Sequence, residues 1–198
     1  MEGAARVFAG EFNESTLCLA HPTSGDLATP VTPTGAWCGS ILLAGALLEV
    51  QDDGRDLVRA RVADPTGAFA ISAGRAQAGA ADAIRKITPP CFVTIIGSAR
   101  IYSAGTRTIV SVVPDDIETV DRAVRDRWVL RTADHTIRRI DAIRKVLENP
   151  GAAPDAGEYA RIIDHYKMDT TKLLAITDLV DIALSSIRPV QIPAESTG

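Results

Sequence analysis

Leu57-Val-Arg-Ala-Arg-Val-Ala-Asp-Pro-Thr-Gly-Ala-Phe-Ala-Ile-Ser-Ala-Gly74 reads as two strands and the turn that joins them. Val58, Ala60 and Val62 alternate with Arg59 and Arg61, the period-2 pattern of a strand with one buried face and one wet, cationic face. Asp64-Pro-Thr-Gly67 reverses the chain: Pro65 pre-sets φ, Asp64 can bond its own backbone, and Gly67 accepts a positive φ. Ala68–Ala73 returns with Phe69 and Ile71 on one face, and Gly74 ends the strand.

The flanks supply three more strands. Trp37–Val50 is apolar on both faces over Ile41–Leu48, and Gly45 in its middle predicts a bend that lets one strand serve two neighbours. Asp52-Asp53-Gly54 turns the chain into the hairpin. Gly79–Ile87 is a short helix stopped by Pro89-Pro90. Cys91–Tyr102 is the fourth strand and Thr106–Val113 the fifth. Five strands, a helix between the third and fourth, and a glycine kink in the first give the order of an OB-fold, a small Greek-key barrel. The expected class is therefore an all-β OB-fold barrel over residues 37–114, followed by C-terminal α-helices.

Before the barrel, Arg6–Asn13 places Phe8 and Phe12 on one face of a short helix, and Leu17–Ala36 reads as an extended arm rich in Thr, Pro and Gly. After it, Asp115–Leu147 changes period. Ile117, Val120, Val124 and Trp128 form one apolar stripe, and Ala133, Ile137, Ile140 and Leu147 a second, with a break expected near Thr132–Asp134. A long stripe with a charged opposite face marks an assembly helix, so Ile117, Val120, Val124, Trp128, Ile137 and Ile140 are candidate partner contacts. The alternative is a helix folded back on its own barrel. Residues 149–157 read as a linker, 158–187 as a helical appendage with Asp169 as an N-cap, and 188–198 as a disordered tail.

Composition narrows the function. A 46% hydrophobic share over 198 residues supports one domain with appendages. No secretory or membrane-spanning signal is read: Ile41–Leu48, the longest apolar run, is far short of the roughly 20 residues that cross a bilayer. Three widely spaced cysteines point to a reducing, cytoplasmic setting. Net charge is −4, yet it is uneven: residues 1–54 sum to −6, 55–107 to +5 and 149–198 to −3. A phosphate backbone responds to that local excess.

Catalysis and metal binding are not expected. Cys18-x-x-His21 with Cys38 lacks the second pair of a structural zinc site. Gly74-x-x-x-x-Gly79 has phosphate-loop glycine spacing, but Ala80-Ala81 replace the Lys-Ser/Thr that chemistry needs. His21, His135 and His165 lie beside no strained nucleophile turn, and no carboxylate pair flanks the barrel. No cofactor is implied.

The ordered set Arg6-Val-Phe-Ala, Glu11-Phe-Asn, Pro33-Thr-Gly-Ala-Trp37, Val62-Ala-Asp-Pro-Thr-Gly67, Pro89-Pro-Cys-Phe-Val93, Arg125-Asp-Arg-Trp-Val129 and Thr132-Ala-Asp-His-Thr136 resembles the archaeal replication protein A-associated OB-fold proteins. The resemblance covers about residues 6–144. It implies a non-catalytic subunit similar to the middle subunit of replication protein A, acting on single-stranded DNA in replication and repair. Its partners would be DNA and the other subunits, bound through the C-terminal helix. The candidate nucleic-acid contacts are Arg59, Arg61, Arg75, Arg100, Tyr102 and Arg107. Because Ala68, Ala70 and Ser72 line the strand face opposite Phe69, stacking platforms are few, and Tyr102 and Phe92 are the candidates. A protein-binding OB scaffold with a merely solvated basic face is the rival, and an RNA-binding module the third reading.

Overall fold

A computed structural model of the chain describes residues 3–20, 28–104, 107–150 and 156–187. Its elements run α1 (Ala9–Phe12), β1 (Leu17–Ala20), β2 (Ala28–Val31), β3 (Ile41–Asp52), β4 (Val58–Asp64), β5 (Gly67–Ala73), a 3-10 turn at Arg75–Gln77 and α2 (Ala78–Lys86). They continue with β6 (Cys91–Ala104), β7 (Arg107–Val120), α3 (Arg122–Glu148), α4 (Ala156–Tyr166) and α5 (Thr170–Ser185).

Strands β3–β7 close into one barrel in the order β3-β4-β5-β7-β6, the Greek-key order of an OB-fold. All neighbours are antiparallel except β5 and β7, which meet in parallel at Ile71 and Val112. β3 bends as its sequence requires. Its first half pairs with β6 from Ile41 to Leu47, its second with β4 from Ala46 to Asp52, and the register shifts between Leu47 and Glu49. At Gly45 a Cβ would stand 2.3 Å from the Ala63 carbonyl oxygen, so only glycine fits. Inside the barrel lie Ile41, Leu43, Leu47, Val62, Phe69, Ile71, Val93, Ile95 and Val112.

The turn at Asp64–Gly67 has a second task. Asp64 Oδ1 accepts from the Thr66 and Gly67 amides at 2.7 and 3.0 Å, while Oδ2 accepts from the Ala9 amide at 2.7 Å. The carboxylate thus closes its own turn and holds the start of α1. Phe8 and Phe12 are buried against Trp128 and Phe69, with ring centroids 5.8 and 5.3 Å apart.

Several expectations are corrected. The arm at Leu17–Ala36 contains a β1–β2 hairpin, Leu17 opposite Val31 and Ala20 opposite Ala28; α4 covers it, and Tyr166 donates to the Val31 carbonyl at 2.6 Å. Residues 21–27 lie outside the described part. The fifth barrel strand does not stop at Val113. Pro114 sits opposite Gly97, next to a bulge where Asp115 of β7 is left without a partner, so the strand tolerates a residue without an amide proton and continues to Val120. Ile117 and Val120 are therefore strand residues, opposite Ile95 and Phe92, and not part of a helical stripe.

The helix begins only at Arg122, capped by Asp121, whose side chain accepts from the Val124 amide at 2.8 Å. It shows no break at Thr132–Asp134: Thr132 turns its hydroxyl back to the Trp128 carbonyl at 2.8 Å and stays helical. Its apolar side is covered by the chain itself. Trp128 is buried against the barrel and donates its indole N–H to the Leu42 carbonyl at 2.7 Å. Ile140 is packed with Ile143, Met168, Leu173 and Ile176. Val124 is half-buried and Ile137 exposed. The linker residues 151–155 and the tail 188–198 lie outside the described part.

Candidate nucleic-acid interface

The alternation that makes β4 a strand also aims its arginines. Ala60 and Val62 point inward and are buried, so Arg59 and Arg61 both project outward and are exposed. On one side they face Gln51 and Glu49 of β3, and on the other Ser72 and Ala70 of β5. Among the described residues neither arginine forms an ion pair. Arg59, Arg61, Gln51, Glu49, Ala70 and Ala68 line a groove of about 330 Å³.

The row continues across the barrel wall. The Ile71–Val112 bridge sets Ala70 beside Ser111, and Ser111 pairs with Arg100 of β6. Arg61, Ala70, Ser111 and Arg100 therefore follow one another across four strands, spanning about 14 Å at ordinary strand spacing. Ala70 is exposed but Ser111 is buried with its hydroxyl, so Arg61 and Arg100 stand on either side of a covered step and not along one open trough. Tyr102 stands two residues beyond Arg100, exposed, opposite Ile109. Its ring and the Ile109 side chain form an exposed apolar patch beside Arg100.

The remaining candidates are not brought into this group as free cations or platforms. Arg75 reaches Asp56 at 2.5 Å, so its charge is already matched. Phe92 lies at the opposite end of β6 from Tyr102, ten residues or about 33 Å of strand away, and cannot share a strand of bases with it. The Arg107 side chain lies outside the described residues. Phe69 is buried in the barrel. Sequence reasoning missed Gln51 and Glu49, because only the cross-strand register places them on this face. Glu49 is an acid within a cationic groove and moderates it.

Neither His135 nor His165 lines the groove. His135 lies on α3 and His165 bonds Thr16 Oγ1 at 3.0 Å, both far along the chain from the cationic strands. Among the described residues no group of three or more His, Cys, Asp or Glu side chains could hold a metal ion. Among them, too, no helix is long and apolar enough to cross a membrane.

No protein-family profile matches the chain, and no curated protein matches it in sequence. Solved structures do. One is the S. pombe Stn1–Ten1 complex, at TM-score 0.55 and 12% identity over 75% of this chain and 98% of that one. A second is a replication protein A heterotrimer bound to single-stranded DNA, at TM-score 0.51 and 15% identity over 70% and 98%. At such identities the likeness defines the fold: an OB barrel carrying a C-terminal helix.

Proposed function

We propose that the chain is a non-catalytic, single-stranded-DNA-binding subunit of a replication protein A-like complex. The observation that carries this reading is the exposed pair Arg59 and Arg61 beside Ala70, with Arg100 and Tyr102 exposed on β6, on a barrel similar to subunits of Stn1–Ten1 and of a DNA-bound replication protein A. The strands corresponding to β4 and β5 are the usual oligonucleotide surface of an OB-fold. The motif resemblance described above supports an archaeal, cytoplasmic complex serving replication and repair. Arg59, Arg61 and Arg100 contact phosphates, and Tyr102 stacks one base. With so few contacts the isolated chain binds weakly and gains from linkage to other subunits.

Assembly draws on surface that the chain leaves uncovered. Leu130 and Ile137 are exposed on α3 and Leu174 and Ile182 on α5. These residues, with half-buried Val124, replace the buried Trp128 and Ile140 as the contacts to other subunits.

Fluorescence anisotropy with labelled oligo-dT tests the DNA reading. Affinity falls with salt at a log–log slope of about −0.7 per phosphate contact. Arg59→Glu with Arg61→Glu weakens binding and flattens that slope. Binding equal to that of the parent chain at low salt would transfer the case to the protein-scaffold reading, which the lack of aromatic side chains on the β5 face favours.

A further inference from the structure

The helix α3 carries eight cationic side chains, and most of them are matched. Arg122 and Arg125 reach Asp126, Arg138 reaches Asp134, Arg139 reaches Glu11, and Arg144 reaches Asp141. Among the described residues Arg127, Arg131 and Lys145 have no carboxylate partner. Lys145 sits in the last turn, where the helix dipole welcomes a cation. Arg127 and Arg131 have no such compensation. They stand one turn apart on the same face, an arrangement of like charges that weakens a helix.

Both line a groove of about 420 Å³ between α3 and the outer surface of β3 and β6. Arg6 completes its cationic rim beside the His135 imidazole, and Leu42, Thr94, Val124 and the edge of Trp128 form its floor. Ile96, opposite Leu42 on β6 and 46% exposed, extends the apolar floor. The nearest acids by register are Glu118, opposite Thr94, and Asp116, opposite Ile96, both on β7; Asp134 is engaged by Arg138. The groove lies ahead of the Gly45 bend, on the half of β3 that pairs with β6, whereas Arg59 and Arg61 flank the other half.

Its chemistry differs from that of the strand face. The floor offers no ring for a base: the Trp128 indole is covered, its N–H bonded to Leu42 and its face set against Phe8. An apolar floor with unmatched guanidiniums on its rim suits a ligand with both carboxylates and apolar side chains. Carboxylates on alternate residues of an extended peptide stand about 7 Å apart, close to the about 6 Å rise from Arg127 to Arg131.

We propose that this groove docks an acidic, apolar-studded segment of a partner protein, its carboxylates on Arg6, Arg127 and Arg131 and its apolar side chains on Leu42, Val124 and Ile96. The site is independent of the DNA reading.

The test uses the full chain and fluorescein-labelled 12-residue peptides that alternate Asp or Glu with Leu, Ile or Phe, each with its Asn/Gln counterpart. Anisotropy at low salt is expected to give saturable binding of acidic members. That binding is at least tenfold weaker for the amide counterparts and in Arg127→Glu with Arg131→Glu, and unchanged in Arg59→Glu with Arg61→Glu. An NMR titration adds a local readout. Burial and then Arg6 and Arg139, with Arg138, hold the His135 imidazole below its ordinary pKa against the pull of Asp134. A bound carboxylate raises it. Should the charge-reversed variant misfold by circular dichroism, Arg127→Gln with Arg131→Gln carries the same comparison. The proposal is overturned if no acidic peptide outbinds its amide counterpart, or if the charge-altered variant binds equally well. It is also overturned if that variant loses oligo-dT while the parent chain ignores the peptides, an outcome that gives the groove to nucleic acid. A failed DNA reading shows separately, in the Arg59→Glu with Arg61→Glu arm.

Discussion

Glu11 is the most consequential single residue outside the barrel. It is almost fully buried, and a buried carboxylate survives only when its charge is answered. The Thr34 hydroxyl and the Thr34 amide donate to Oε1, the latter at 3.1 Å, and Arg139 reaches Oε2 at 3.3 Å. Arg139 also donates to the Arg6 carbonyl at 3.3 Å and to Thr34 Oγ1 at 2.8 Å, so one guanidinium ties α3 to the start of the chain. Arg139→Ala strands the carboxylate, and urea unfolding is expected to register a loss of about 3–5 kcal/mol. A loss below about 1 kcal/mol would mean that water reaches Glu11 without Arg139. The same carboxylate acts on Cys38. Burial, reinforced by Glu11 and opposed by Arg139, pushes that thiol up to about 12. It stays protonated and unreactive at pH 8. Maleimide is expected to label exposed Cys18 in the native chain and to reach Cys38 only in urea, as mass spectrometry of the peptides will report.

At the scale of elements, two glycines and one tryptophan hold the architecture. Gly45 and Gly97 each stand where a Cβ would meet a carbonyl oxygen at 2.3 Å, of Ala63 and Val113 respectively. Backbone cannot swing aside as a flexible side chain can. Gly45→Ala is therefore expected at or above the upper end of the about 1–3 kcal/mol that overpacking costs, while Gly79→Ala, in open space on α2, is neutral or stabilising. Thermal melts of the two variants give the comparison, and equal midpoints would refute the close approach at the bend. Trp128 is the anchor of α3. Trp128→Ala removes its packing on Phe8 and its bond to Leu42, at an expected cost of about 3–5 kcal/mol by urea unfolding. A partner-facing Trp128 would instead leave the stability of the isolated chain unchanged.

For the whole molecule, the helices behind the barrel belong to its core. Val180 and Ala183 of α5 join the cluster that contains Trp128, Val129 and Ala133, and Leu173 and Ile176 cover Ile140 and Ile143. A chain ending at residue 150 would bare that side of α3. It is expected to bind a hydrophobic dye and to unfold at lower temperature than the full chain, and a truncated chain with the full melting point would show the helices to be appendages after all. The five strands, the bend at Gly45, the inserted helix and the outward pair Arg59 and Arg61 were legible in the sequence, since each depends on local periodicity, on turn chemistry or on one residue's lack of a side chain. The Asp121 cap lay unread beside a stripe that seemed to start at Ile117. Periodicity says that a face is buried and is silent about what buries it. Only the tertiary structure decided that Pro114 could stay in a strand, because β7 bulges beside it at Asp115. It alone matched Arg75 with Asp56 and left Arg127 and Arg131 unmatched. And it alone covered Trp128 and Ile140 from within the chain, since the residues that do so lie tens of positions away and meet them only when the barrel closes.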